Sequence, residues 1–144
     1  MNVMFCGHRE LYEEESVRKW LRETVEVLIL QGAVEFLHGG YGRFDDLAAA
    51  VVWELKQHYP HIRSVLVLPY PDRKVAASCF DCTTYPPLET VPRRFAISHR
   101  NRWMVEQSDI VLAYVRYGWG GAATTLEYAH KKQKTVIRYE ATIP

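Results

Sequence analysis

The chain has 144 residues, with 48% apolar and 24% charged side chains and a formal net charge of +1 at neutral pH. This balance is typical of a soluble globular protein and excludes disordered and fibrous classes, so we expect a single domain over residues 1–144. Charges of both signs are scattered along the chain, and without a basic excess no direct nucleic-acid binding is expected.

The first residues and the cysteines indicate a compartment. The chain runs from Met1 straight into the apolar segment Val3 to Cys6, without the basic region and cleavage site of a signal peptide. No apolar run approaches the roughly 20 residues of a membrane-spanning helix. Three cysteines suit a reducing compartment, and the pair Cys79 and Cys82 lacks the second pair that a structural zinc site needs. We therefore expect a cytoplasmic protein with no metal and no membrane contact.

Predicted strands and helices alternate along the chain. Short apolar runs predict strands at Val3 to Cys6, Val34 to Leu37, Ser64 to Leu68, Ile110 to Val115 and Thr135 to Tyr139. Apolar residues at helical spacing predict helices at Val17 to Ile29, from near Phe44 to Leu55, Arg94 to Gln107 and Thr124 to Lys132. Residues 72–92 are expected to be irregular, with one short helix. Alternation of this kind predicts a parallel sheet with helices on both faces.

Three of these strands end in turns that contain glycine. In chain order the turns are Gly7-His8-Arg9, His38-Gly39-Gly40-Tyr41-Gly42 and Gly118-Trp119-Gly120-Gly121. Glycine lets the backbone approach a ligand, and a helix that starts after the turn offers free N–H groups to a phosphate. Ligands of parallel sheets bind beyond the carboxyl ends of the strands, so we expect one shared ligand there. Ordinary loop chemistry is the alternative for any single turn, and neither the dinucleotide fingerprint nor the Walker A loop is matched.

Arg100 shares one face of its predicted helix with Ile97 and Met104. This spacing indicates that the guanidinium points inward, where it needs a carboxylate or a phosphate as partner. The alternative is a stem packed on the core with the charged head in water.

Two acidic residues each have a binding and a structural interpretation. Asp45 stands in a first helical turn, where it either accepts hydrogen bonds from ribose hydroxyls or complements the helix dipole. Glu127 is a candidate carboxylate for the site, but the spacing Thr124-x-x-Glu127 also fits a capping box.

Together these segments resemble the SLOG superfamily, which includes the cytokinin-activating phosphoribohydrolases once called lysine decarboxylases. The resemblance is greatest to the small stand-alone YpsA-like branch of bacteria and phages, and it spans residues 2–138. It implies a three-layer Rossmann-like fold with a parallel five-stranded sheet in the order 3-2-1-4-5. It also implies dimers in many members, so a homodimer is one expected assembly.

The motifs match the enzymes of this superfamily in part. Arg100 falls at the place of their catalytic arginine, and Gly120, Gly121, Thr124 and Glu127 match their P-G-G-x-G-T-x-x-E motif. The chain departs from the enzymes at three positions, where proline, glycine and lysine are replaced by Trp119, Ala123 and Asn101. These departures favour phosphate binding over hydrolysis.

Three functions follow as hypotheses. The favoured one is a sensor or sequestering module for a nucleotide or a nucleotide-derived, ADP-ribose-like ligand, with no separate cofactor. Its ligand-binding residues would be Gly7, His8, Arg9, Gly39, Gly40, Asp45, Arg100, Gly120, Gly121 and Thr124. The second is a phosphoribohydrolase that cleaves the N-glycosidic bond of a nucleoside 5′-monophosphate with Arg100 and Glu127 as catalytic residues. The third is a ligand-free protein-interaction domain that uses Trp103, Tyr117 and Trp119.

Overall fold

A computed structural model describes residues 1–71 and 79–140. Within these ranges the strands are β1 (Asn2–Gly7), β2 (Glu35–His38), β3 (Arg63–Val67), β4 (Cys82–Thr84), β5 (Ile110–Tyr114) and β6 (Thr135–Arg138). The helices are α1 (Glu14–Leu30), α2 (Arg43–Lys56), α3 (Ala96–Gln107) and α4 (Gly121–Lys131), and a 3-10 helix at Arg93–Phe95 leads into α3.

The strands form one sheet in the order β4-β3-β2-β1-β5-β6, and every neighbouring pair is parallel. The predicted order of the five main strands is confirmed. The expectation of an irregular segment over residues 72–92 is wrong at Cys82–Thr84, which adds a sixth strand beside β3. Three residues are too few for a hydrophobic period to show, and this strand is held by its backbone pairing. Residues 72–78 of that segment lie outside the described ranges.

Two apolar layers hold the helices on the sheet. Val3 and Phe5 of β1 pack with α1 and α2 on one face, whereas Met4 and Cys6 pack with α3 and α4 on the other. Consecutive residues of a strand point to opposite faces, so one apolar strand supplies both layers. The three-layer Rossmann-like class is thereby confirmed.

The helix boundaries correct one prediction. The helix α4 begins at Gly121, with Gly120 as its N-cap, so Thr124 and Glu127 lie inside the helix. The capping-box interpretation is therefore wrong. The Thr124 hydroxyl instead donates to the carbonyl oxygen of Gly120 at 3.0 Å, a bond made within the first turn. Across the described residues, no helix combines the length and apolar character needed to cross a bilayer.

Candidate functional site

A cleft of about 440 Å³ opens at the carboxyl ends of the central strands. Strand β1 lies between β2 and β5, and its two neighbours are reached by connections on opposite faces of the sheet. This is the switch point at which parallel sheets bind ligands. Most of the predicted ligand residues line the cleft, namely Gly7, His8, Arg9, Gly39, Asp45, Arg100, Gly120 and Gly121, whereas Gly40 and Thr124 are not among its lining residues.

Arg100 lies in the wall of this cleft and is only 2% exposed, which excludes the interpretation with its charged head in water. Its Nη1 donates to the carbonyl oxygens of Gly39 at 2.8 Å and Val67 at 2.9 Å, and its Nε donates to Oδ1 of Asn101 at 2.8 Å. The sequence predicted a carboxylate or a phosphate as partner. The carbonyl oxygens of Gly39, after β2, and Val67, at the end of β3, take part of that role.

Asp45 meets Arg100 at Gly39. A Cβ atom on Gly39 would lie 3.1 Å from Oδ2 of Asp45 and 3.4 Å from Cζ of Arg100, so the two side chains leave no room for a larger residue. The same Oδ2 accepts a hydrogen bond from the backbone N–H of Tyr41 at 3.0 Å. Asp45 therefore closes the turn between β2 and α2. This turn keeps Gly39 in the wall of the cleft.

The glycines of the three turns have different reasons to be glycine. A Cβ on Gly7 would lie 2.8 Å from Cβ of Phe44 and closer still to its ring, and a Cβ on Gly40 would lie 2.6 Å from Cδ1 of Leu66. Packing against Phe44 thus requires glycine at position 7, and at Gly40 the φ of 65° favours glycine in addition to the contact with Leu66. At Gly120 and Gly121 a Cβ would meet no atom within 4 Å. The third turn therefore borders open space. The φ of 93° at Gly120 favours glycine there, whereas neither the backbone conformation nor a packing contact requires glycine at Gly121.

The start of α4 faces this open space. Its first intrahelical hydrogen bond runs from the N–H of Thr124 to the carbonyl oxygen of Gly120, and no side chain caps the helix. The amides of residues 121–123 precede that bond and have no acceptor within the helix. Uncapped amides and the positive end of the helix dipole favour an anion at this place.

Cys6 fixes the position of this helix start. Its thiol donates to the carbonyl oxygen of Ala122 at 3.2 Å. Burial, followed by the nearby negative charge of Asp45, raises the pKa of the Cys6 thiol to about 12. The thiol therefore stays protonated and serves as a donor at neutral pH.

Arg9 stands at the mouth of the cleft and is exposed. Its guanidinium lies 4.6 Å from the centre of the Tyr41 ring, and its Nη2 donates to the Tyr41 hydroxyl at 2.7 Å. Arg9 is thus a cation near the cleft whose side chain remains accessible to water.

Three aromatic rings continue the wall of the cleft. The rings of His8 and Trp119 both stack on the ring of Tyr117, with centroid distances of 4.0 and 4.3 Å. The sequence assigned Tyr117 and Trp119 to a protein contact and missed them as cleft residues. The signal that could have found them is an aromatic pair beside a glycine turn at a strand end.

The two predicted catalytic residues line different depressions. Glu127 is exposed and lines a second groove of about 500 Å³ between α3 and α4, together with Thr124, and Arg100 does not line that groove. The groove and the cleft share Ile97, Asn101, Gly121 and Thr125 as a common wall. Within the described residues Arg100 and Glu127 are therefore not brought together in one cavity.

Comparison with known proteins shows the fold. No protein-family model and no curated protein matches the chain. Among solved structures, TM1055, a structural genomics target, matches with a TM-score of 0.62 and 16% identity over 94% of this chain and 71% of that chain. DNA processing protein A from Helicobacter pylori matches with a TM-score of 0.68 and 18% identity over 99% of this chain and 66% of that chain.

A further match is DNA processing protein A from Streptococcus pneumoniae, with a TM-score of 0.64 and 16% identity over 99% of this chain and 51% of that chain. The chain thus spans 66% and 51% of the two DNA processing proteins. Identities this low show a shared fold alone. That fold is Rossmann-like.

One expectation is corrected by these comparisons. From the near-neutral charge we expected no direct nucleic-acid binding. The Helicobacter pylori protein, which has this fold, binds single-stranded DNA. The expectation is therefore wrong, because neither the fold nor the overall charge balance excludes nucleic acid as a partner. The matches show that the chain has a Rossmann-like fold.

Proposed function

We propose that the cleft binds a phosphorylated nucleotide or a nucleotide-derived ligand, with a phosphate at the start of α4, and that the protein acts as a sensor or sequestering module. The observation that carries this proposal is the glycine turn before α4. Gly120 has a φ of 93°, which favours glycine, whereas Gly121 has neither a positive φ nor a packing contact that requires glycine. The turn precedes a helix start without a side-chain cap and opens on a cleft at the switch point of the sheet. The order of motifs along the chain supports the small stand-alone YpsA-like branch.

The size and charge of the cleft suit such a ligand. A volume of about 440 Å³ lies within the range of small-molecule sites. The amides at the start of α4 and the exposed Arg9 supply positive potential for a phosphate. Arg100 contributes by position, because its hydrogen bonds to the carbonyl oxygens of Gly39 and Val67 hold the ends of β2 and β3 in place.

Binding is favoured over hydrolysis by the placement of the carboxylates. Glu127 lies in the second groove. Asp45 lies in the cleft, but its Oδ2 already accepts a hydrogen bond from Tyr41 and closes a turn. Hydrolysis of an N-glycosidic bond needs a carboxylate at the reacting carbon, and the arrangement supports a site that holds its ligand intact.

A second candidate ligand is single-stranded nucleic acid. The second groove continues from the cleft across a shared wall, and it is lined by the three cations Arg94, Arg102 and Lys131. One nucleotide in the cleft would leave the following phosphate near these cations. The described binding mode of the Helicobacter pylori protein, which shares the fold, also supports this candidate.

The test uses two variants that add the same charge. Gly121→Asp places a carboxylate at the first position of α4, where the helix dipole tolerates it but a phosphate would be repelled. Ser16→Asp is the matched control, because it adds the same charge in the first turn of a helix, at an exposed position that lines neither the cleft nor the second groove. Both proteins are titrated by calorimetry with nucleoside monophosphates, NAD and ADP-ribose.

We expect Gly121→Asp to weaken binding at least about tenfold, which is about 1.4 kcal/mol, and Ser16→Asp to leave the affinity within about twofold. Equal affinities in the two variants, or no binding of any of these compounds to the unmodified protein, would overturn the proposal. Oligothymidylate titrated at two salt concentrations separates the second candidate. If the DNA strand reaches the second groove, its affinity should fall as the salt concentration rises. The double variant Arg102→Ala, Lys131→Ala should then lower this affinity and weaken its salt dependence.

A further inference from the structure

We infer that the free face of Trp119 is the platform on which the base of the ligand stacks. This inference rests on the proposed function and adds to it a base-binding surface and a requirement for a nucleotide with an intact base. Three observations support the inference. His8, Tyr117 and Trp119 form one aromatic stack, Trp119 is the exposed end of that stack, and Trp119 lies two residues before the start of α4.

The stack is near-parallel from its buried end to its exposed end. The ring planes of His8 and Tyr117 differ by 11°, and those of Tyr117 and Trp119 by 24°. Such offset stacking is a favoured geometry of aromatic pairs. A planar base added on the free face of Trp119 would continue the same arrangement.

The buried end of the stack is fixed. Nε2 of His8 accepts a hydrogen bond from the backbone N–H of Arg116 at 2.8 Å, and the edge of the ring packs on Tyr114 with a centroid distance of 5.9 Å. Burial, followed by the positive charges of Arg116 and Arg138, lowers the pKa of His8. His8 is therefore a neutral ring held in one orientation, and it supports Tyr117 without adding charge to the cleft.

The outer end of the stack is exposed in a way that suits a small planar ligand. Trp119 is 71% exposed and is flanked by Gly118 and Gly120, which are exposed and carry no side chain. A protein interface needs a wider apolar patch than one ring among glycines. One face of a tryptophan beside a cleft matches the area of a single base, and bases stack on aromatic rings regardless of their hydrogen-bonding edges.

The platform and the phosphate position belong to the same turn. Trp119 precedes Gly121, the first residue of α4, by two positions, and both line the cleft. The base and the 5′-phosphate of one nucleotide would thus contact consecutive parts of one loop. Stacking also favours purines over pyrimidines, because a larger ring system overlaps more of the indole.

The experiment separates the base from the phosphate. AMP, CMP and ribose 5-phosphate are titrated by calorimetry into the unmodified protein and into Trp119→Ala, Trp119→Phe and Phe95→Ala. Phe95 is the matched control, because it is an exposed aromatic residue, 46% exposed, that lines neither the cleft nor the second groove. Circular dichroism confirms that each variant is folded.

We expect the unmodified protein to bind AMP at least about fivefold more tightly than ribose 5-phosphate, with CMP between them. Trp119→Ala should remove the preference for AMP and leave the affinity for ribose 5-phosphate unchanged. Trp119→Phe should keep most of the preference for AMP, and Phe95→Ala should keep all of it. If all three compounds bind and Trp119→Ala keeps the preference for AMP, the stacking inference is overturned and the proposed function stands. If none of the compounds binds, both are overturned.

Discussion

Arg100 and Gly39 are joined by a hydrogen bond of 2.8 Å between the guanidinium Nη1 and the backbone carbonyl oxygen, across 61 positions of the chain. The same nitrogen also reaches the carbonyl oxygen of Val67 at 2.9 Å. One side chain of α3 thus ties together the ends of β2 and β3, and the shape of the cleft depends on it.

Replacement of Arg100 should therefore cost stability as well as binding. Arg100→Met leaves two buried carbonyl oxygens without this donor, and we expect the free energy of unfolding to fall by roughly 3–5 kcal/mol. Arg102→Met, an exposed arginine of the same helix, should change it by less than about 0.5 kcal/mol. Urea unfolding followed by circular dichroism measures both, and equal values for the two variants would show that Arg100 does not bear on the fold.

His38 should make the protein sensitive to acid. Its ring is fully buried against Phe5, and within residues 1–71 and 79–140 neither ring nitrogen has a hydrogen-bond partner. Burial lowers the pKa of His38 to about 3. The folded protein keeps this ring neutral, whereas in the unfolded chain the ring takes up a proton below its ordinary pKa of 6.5. The free energy of unfolding therefore falls as the pH drops from 6.5 towards 3.

From these values we expect His38 alone to reduce the free energy of unfolding by about 2 kcal/mol between pH 7.5 and pH 5. His38→Phe keeps a ring against Phe5 and removes the titrating group. The free energy of unfolding of this variant should therefore fall by about 2 kcal/mol less between the same two pH values than that of the unmodified protein. His58→Gln, at an exposed position, is the control and should behave as the unmodified protein. Parallel curves for all three proteins would contradict the role of His38.

The glycines of the first and third turns should respond differently to a methyl group. Gly7→Ala forces the new Cβ into Phe44, and overpacking of this kind costs typically about 1–3 kcal/mol. Gly118→Ala adds its Cβ in open space and should be neutral. Thermal melting of the two variants checks the difference, and a stable Gly7→Ala would mean that Phe44 yields more readily than its buried position suggests.

Glu127→Gln discriminates between binding and hydrolysis. Because Glu127 is exposed in the second groove, we expect this variant to bind nucleoside monophosphates with an affinity within about twofold of the unmodified protein. Incubation of the unmodified protein with the same compounds should yield no free base by mass spectrometry. Release of a free base that Glu127→Gln abolishes would establish the hydrolase instead.

The three thiols should differ in reactivity. Cys6 is buried with a pKa raised to about 12, whereas Cys79 and Cys82 are half-buried. Only the thiolate reacts with iodoacetamide, so native protein should gain adducts at Cys79 and Cys82 and react at Cys6 only in denaturant. Peptide mapping measures this, and equal labelling of Cys6 in the native state would contradict the burial.

The sequence was sufficient for features that repeat along the chain or lie close together in it. Hydrophobic period and turn residues predicted the five main strands, and the spacing of Ile97, Arg100 and Met104 predicted the inward side of α3. The start of α4 was misplaced, because Thr124 and Glu127 imitate a capping box three residues inside the helix. Its true N-cap, Gly120, has a φ of 93° and offers no side-chain signal.

Contacts between distant segments could not be predicted from the sequence. Arg100 bonds to carbonyl oxygens that only the folded turn after β2 and the end of β3 bring within reach. The stack of His8 on Tyr117 joins two residues 109 positions apart in sequence number, and no local pattern connects them. The location of the cleft at the carboxyl ends of the strands could be predicted from the sequence. The contacts that form its wall could not, because most of them join distant segments.

The position of β1 in the middle of the sheet has a consequence for how the chain folds. This strand is the first along the sequence, yet one of its two partners is β5, which begins at Ile110. During synthesis β1 keeps one edge unpaired until β5 has left the ribosome. Pairings between segments so far apart carry a large loop-closure entropy, so we expect slow folding and an early species whose open edge is a target for chaperones.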